Sequence, residues 1–299
     1  MKKTHKFLFA ILVLLVSLPS LAQPTDLARV EYTYFPQRGS DNSFRRFRTF
    51  VNFPIELNDK GAYLVPGLEY RNVNFKYEDP ENFDTFDLDR FQSFTATLAY
   101  TFKFSKNWRF GADGGVKVAS NFSSGELKKD DLIYTGGIYF VNRDEEAEIP
   151  WRLIFGLKYS TTTGFPFPLP ILNYYRRFDP KWSYTVGIPK VNMKHYFNNK
   201  HSMQAFVTLD GFFANIQEKF DVAPRNPANT EFAESISMTV LLTGLGYEYN
   251  FTEHLSFYAY AGYTLINDIR LRDDNLDDLY TINKDNSFYT RGGLKFSIL

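Results

Sequence analysis

The sequence predicts an all-β chain folded as a transmembrane antiparallel up-and-down β-barrel. Three observations carry this: long segments that alternate apolar and polar residues, connections that sort into short and long, and aromatics gathered at the short ones. Among 299 residues there are 31 Phe, 20 Tyr and 3 Trp, a surplus typical of strands rather than helices.

The first segment reads as an address, not as structure. Lys2, Lys3 and Lys6 precede an apolar stretch from Phe7 to Leu18, and Ser20-Leu21-Ala22 supplies small residues for cleavage. This is a secretory signal peptide, residues 1–22, cut after Ala22. The apolar run is short for a membrane helix, which needs roughly 20 residues. Residues 23–299 read as one barrel domain.

Beyond residue 23 the period is two, not 3.6. From Gln92 the even positions are Phe94, Ala96, Leu98, Tyr100, Phe102 and Phe104, set against Ser93, Thr95, Thr97, Ala99, Thr101 and Lys103. After Ser105-Lys106-Asn107, Trp108, Phe110, Ala112, Gly114, Val116 and Val118 alternate with Arg109, Gly111, Asp113, Gly115, Lys117 and Ala119. Fourteen strands follow, near 28–36, 44–57, 62–75, 90–104, 107–120, 131–142, 150–163, 168–178, 181–187, 190–197, 202–215, 235–250, 254–266 and 286–298. The count falls to twelve if 181–197 is one strand or the first strand lies outside the wall.

Alternation alone fits a soluble sandwich as well as a membrane barrel; only the face that meets lipid differs. Connection lengths separate them. Short turns near 58–61, 105–107, 179–181, 198–201 and 250–254 alternate with long polar segments at 76–89, 121–130, 216–234 and 267–285. Barrels have short periplasmic turns and long external loops. Phe102 and Phe104 face Trp108 and Phe110 across one short turn, and Phe178 faces Trp182 across another, as in an interfacial aromatic girdle.

The stretch Phe165-Pro-Phe-Pro-Leu-Pro-Ile-Leu-Asn-Tyr-Tyr-Arg-Arg-Phe178 leads into Trp182 and Gly187-Ile-Pro-Lys190. Tyr196-Phe-Asn-Asn-Lys-His-Ser202 and Ala205-Phe-Val-Thr-Leu-Asp-Gly-Phe-Phe213 follow. These residues resemble a family of uncharacterised outer-membrane β-barrels of Gram-negative bacteria, known as a domain of unknown function. The resemblance runs from about Arg29 to the C-terminus and is firmest over 165–215. It implies the cell outer membrane as location and a barrel as architecture, and it brings no catalytic residues.

Composition excludes several functions. Equal numbers of basic and acidic residues, 34 each, argue against a nucleic-acid partner. The absence of cysteine removes disulfides, thiolate nucleophiles and cysteine-bound zinc. A mean hydropathy of −0.32 excludes a bundle of membrane helices. His195 is placed on the outer face, and His201 and His254 fall in short turns, so no catalytic set is assembled and no enzyme is expected. The acidic runs at 78–89 and 273–278 lack the spaced ligands of a calcium loop and read as solvated charge. No metal or cofactor is expected. The expected partners are outer-membrane lipid and, during biogenesis, the barrel-assembly machinery.

One set of residues carries a functional reading. Arg46, Arg48, Glu69, Arg71, Arg109, Asp113, Lys117, Arg152, Lys158, Asp210, Arg291 and Lys295 fall on the inward register. A basic lumen favours anions, which makes a passive, narrow pore for small solutes the leading reading. The alternatives are a structural or partner-binding barrel closed by ion pairs, and a lipid-active enzyme. Fractionation is expected to place the protein in the outer membrane as a heat-modifiable, β-rich band. A soluble, detergent-independent monomer would contradict the barrel.

Overall fold

The computed structural model describes residues 25–36, 43–77, 83–144, 147–223 and 231–298. The expected signal peptide, 1–22 with its cleavage after Ala22, lies outside the described residues. The described chain forms β1 (Thr25–Pro36), β2 (Ser43–Asn52), β3 (Ile55–Asn58), β4 (Ala62–Lys76), β5 (Arg90–Lys103), β6 (Trp108–Ser120), β7 (Leu132–Asp144) and β8 (Trp151–Ser160). It continues with β9 (Phe167–Asp179), β10 (Trp182–Ile188), β11 (Lys190–Tyr196), β12 (His201–Asp221), β13 (Phe232–Asn250), β14 (Leu255–Arg272), β15 (Asp278–Asn283) and β16 (Phe288–Ile298).

Each wall strand pairs antiparallel with its neighbour in sequence, and β1 pairs with β16 to close the ring. Two short strands stand apart: β3 pairs only with β4, and β15 only with β14. Fourteen strands therefore make the wall. The alternative of twelve is ruled out by β10 and β11, which pair through Trp182↔His195 and Thr185↔Asn192, and by β1, which lies in the wall. Closure leaves no edge, so every wall strand finds hydrogen-bond partners on both sides.

Thr25 pairs with Ile298, so both ends of the described chain lie at one rim, here called proximal. The turns after β3, β5, β9, β11 and β13 lie at that same rim, as the alternating lengths imply. Rings cluster there, including Phe104 against Trp108 (6.2 Å) and Tyr249 against Phe251 (5.1 Å). The outer surface is an apolar belt: Leu98 is 52% exposed and Leu294 45%, while inward Lys117 is 4% exposed. An exposed belt of this kind is what a barrel in a bilayer presents to lipid chains.

Three boundaries differ from the sequence reading. The expected strand 44–57 breaks into β2 and β3 at Phe53-Pro54, because proline has no N–H for the ladder. Within the segments expected as loops at 216–234 and 267–285, the described residues 216–221, 232–234, 267–272 and 278–283 are strand. β12 and β13 continue pairing through Asp221↔Phe232, and β15 folds back on β14 through Leu271↔Tyr280. Ile269 and Leu271 of β14 are buried there while Asp268 and Arg270 stay partly exposed, so β14 keeps its alternation beyond the belt with charged rather than apolar residues on its open face. Conversely β10 and β11 have only seven residues each. At about 3.3 Å per residue and a tilt of ~40°, they rise about 18 Å, less than an apolar band about 25 Å tall. The distal rim is therefore high over β12–β14 and low at β10–β11.

Val116 points outward at mid-strand. Val116→Arg is expected to destabilise the barrel by roughly 2–4 kcal/mol in vesicle refolding, and Val116→Leu to be near neutral.

Candidate functional site

The structure sorts the charged residues expected inward into clusters. Asp210 on β12 reaches across the barrel to β2, where Arg46 Nη1 and Nη2 donate to its two oxygens at 3.1 and 2.6 Å. Arg291 on β16 donates to Asp210 Oδ2 at 2.8 Å. Glu31 on β1 stands 3.7 Å from both guanidinium groups and accepts the Tyr258 hydroxyl at 2.7 Å. Arg46 and Glu31 are each 1% exposed, so neither charge could stay there alone.

A second cluster is centred on Glu248 of β13. It accepts Lys194 (2.6 Å) and Lys295 (2.9 Å) on one oxygen, and Gln204 (2.8 Å) and Tyr260 (2.7 Å) on the other. Tyr260 lies flat on the wall because Gly246 beneath it has no Cβ; one would sit 2.4 Å from the ring. A third cluster holds Glu69 between Arg48 (2.6 Å) and Arg71 (2.5 Å), and Lys158 pairs with Asp113 at 2.5 Å. Arg109 lies nearer the proximal rim, where it donates to Thr101 at 3.4 Å, and Arg152 lines the same wall.

From about Asp210 upward, β12 parts from β11 while it stays paired with β13. Its distal part leans across the mouth until Asn215 lies parallel beside Ser120 of β6. Three contacts fasten it there. Lys117 Nζ donates to the Phe213 carbonyl at 2.9 Å, Arg71 Nη1 to the Gly211 carbonyl at 3.3 Å, and the Asn215 amide to Asp131 at 2.8 Å. The 161–166 connection packs on the same segment. A Cβ at Gly211 would lie 2.4 Å from the Thr162 carbonyl, so only glycine admits that approach. Under the crossing, Phe212 meets Phe91 edge-on at 6.4 Å, within an apolar core that includes Phe35, Phe44 and Phe75. The distal half of the lumen is thus filled by side chains.

Beneath the crossing a cavity of about 440 Å³ remains against β2 and β4–β9. Arg48, Arg71 and Lys117 form its charged side, Thr95, Thr97 and Thr135 a band of hydroxyls, and Leu169 and Ile171 an aliphatic side. It extends to Pro189, the tip of the low β10–β11 hairpin. Inward glycines leave the space: Gly67 and Gly115 stand where a Cβ would meet Thr97 at 2.6 and 2.8 Å.

The sequence reading missed Glu31, Glu248, Lys190, Lys194, Tyr258 and Tyr260. Their signal was present, since Glu31 and Glu248 alternate with outward Tyr32 and Tyr247 on their strands. The added carboxylates come with the added cations Arg29, Lys190 and Lys194, so the basic surplus of the lumen persists.

A model of the family described as Domain of unknown function (DUF6268) matches residues 33–297. The chain belongs to this family. No curated protein is significantly similar to it in sequence. Among solved structures it is similar to the TodX deltaS2S3 mutant, a monoaromatic hydrocarbon channel, at 10% identity and a TM-score of 0.39, over 95% of this chain and 93% of that one. LpxR from Salmonella typhimurium matches at 9% identity and 0.38, over 90% and 99%. The KdgM porin matches at 9% and 0.35, over 91% and 99%. These likenesses concern the barrel fold alone.

Asp210→Ala is expected to cost about 3–5 kcal/mol, because it removes the hydrogen-bonding carboxylate from two buried guanidinium groups and leaves them only Glu31 at 3.7 Å. Urea titration of the folded barrel in vesicles measures this, with Thr239→Ser as a mild control.

Proposed function

We propose that this member of the DUF6268 family is a passive, narrow outer-membrane pore for small solutes, selective for anions and closed at its distal, external mouth in the conformation described. One observation carries the reading. The cavity below the crossing strand has polar walls and more positive than negative charge: Glu69 answers Arg48 and Arg71 together, and Lys117 meets only neutral oxygens, Thr161 Oγ1 at 3.0 Å and the Phe213 carbonyl. Such a chamber raises the local concentration of anions. Its reach to Pro189 gives a solute a route past the low rim rather than through the apolar core.

In this proposal the protein carries out no chemical step. The imidazole of His195 lies against Trp182 on the outer face, at 4.4 Å, and His201 and His254 bond to Tyr247 and the Ser297 carbonyl near the proximal rim. The apolar belt supports residence in the outer membrane, with lipid and the assembly machinery as its partners. A second reading is a closed structural barrel, favoured by the Asp210 bridge and the apolar core at the mouth.

Planar-bilayer recording tests the two. Wild-type protein is expected to open rarely and with small conductance, and Asp210→Asn to open more often by loosening the crossing. Reversal potentials across a salt gradient should show anion preference, reduced in Arg109→Gln and Lys117→Met. Cation preference sinks the proposal; silence from folded wild type and Asp210→Asn alike promotes the closed barrel.

A further inference from the structure

We infer that the cavity under the β12 crossing is a binding site for a small organic anion, whose carboxylate or phosphate is held by Lys117, Arg71 and Arg48. This deepens the pore reading and rests on it for the ligand's route of entry. The charged donors are built into the wall but are not consumed by it. Both Glu69 oxygens are occupied, Oε1 by Arg71 Nε at 2.5 Å and Oε2 by Arg48 at 2.9 and 2.6 Å. Arg48 Nη1 and Arg71 Nη2 are then left with no acceptor among the described residues. Lys117 is 4% exposed, and among the described residues it has no ion-pair partner. Two of its three protons go to neutral oxygens and the ammonium lies 5.3 Å from the Phe212 ring centroid, so no carboxylate among the described residues bonds it.

A buried ammonium without a counter-charge is costly, and an oxyanion beside it relieves that cost with short, charge-assisted hydrogen bonds. The register places the donors together. Arg48 lies directly opposite Arg71, and one row toward the proximal rim Glu69 and Lys117 flank Thr95 on adjacent strands. Thr95, Thr97 and Thr135 continue from this cationic end as hydroxyl partners for the body of the ligand, and Leu169 and Ile171 close the far side. A cavity of about 440 Å³ is within the range of small-molecule sites. The shared chemistry is one anionic group on a short body that bears hydroxyls.

Calorimetric titration of the detergent-solubilised, folded barrel at fixed ionic strength tests this without any current. Sodium 3-hydroxybutyrate and glycerol 3-phosphate are the probes, and glycerol is the uncharged control. Saturable binding of either anion, but not of glycerol, is expected, and the preferred probe tells carboxylate from phosphate. Lys117→Met should weaken binding at least tenfold, and Thr95→Val two- to fivefold. If Lys117→Met does not fold, Arg71→Gln serves the same purpose, since Glu69 keeps Arg48. No saturable binding to folded wild type, or equal affinity in the cation variants, overturns the site. A barrel that binds but never conducts refutes the pore and keeps the site; one that conducts without saturable binding does the opposite.

Discussion

The Asp210 carboxylate is the point on which the lumen depends. It sits just past the point where β12 parts from β11, and it binds guanidinium groups across the lumen, from β2 and from β16. A charge pair across a barrel fixes two walls relative to each other, which backbone ladders between neighbours cannot do. It also sets where the crossing begins. Above it the chain is free to lean inward; below it the strand remains part of the cylinder.

The same constraint explains the rest of the interior. A ring of fourteen strands is too wide for its own inward side chains to fill, unlike a ring of eight. The chain fills the space in two ways. Toward the distal rim it folds its own strand inward and packs Phe212 against Phe91, with apolar residues where water would otherwise stand. On the β11–β16 side it uses Glu248, Lys194, Lys295, Gln204 and Tyr260, a set of polar groups in which each carboxylate oxygen has two donors. Beneath the crossing neither device fills the β4–β9 side, and there the cavity remains. Its positive balance follows from an unequal distribution: carboxylates are spent on the bracing clusters, while Lys117 is anchored by a carbonyl of the crossing strand.

Much of the wall was legible in the sequence. A strict period of two from Gln92 to Ala119 places Leu98 and Val116 outward and Thr97 and Lys117 inward, because a pleated strand leaves no third direction. The twelve charges expected inward follow from the same rule. Misread segments share one cause: once a strand rises beyond the belt, lipid no longer requires its open face to be apolar, and charged residues there look like loop. Residues 220–221 and 267–272 look like polar loop, yet their backbones are paired within hairpins, with 216–219 an irregularity in the β12–β13 ladder. Glu31 and Glu248 show a different lapse, since their alternation was readable and only their partners were remote.

By itself, the sequence determined the class of fold and the face each side chain of a wall strand takes, and it left the strand number at fourteen or twelve. These are local or periodic properties, set by residue type and by spacing along one strand. Tertiary structure decided which charges meet. Arg46 and Asp210 are 164 positions apart, and nothing in the spacing of either strand says that they bond. It also decided that β12 crosses the mouth, through a bend whose support comes from Lys117 on β6, Arg71 on β4 and the 161–166 connection. A ring closes by contacts between strands distant in the chain, so the content of its interior depends on diameter, stagger and lean, none of which a one-dimensional pattern encodes.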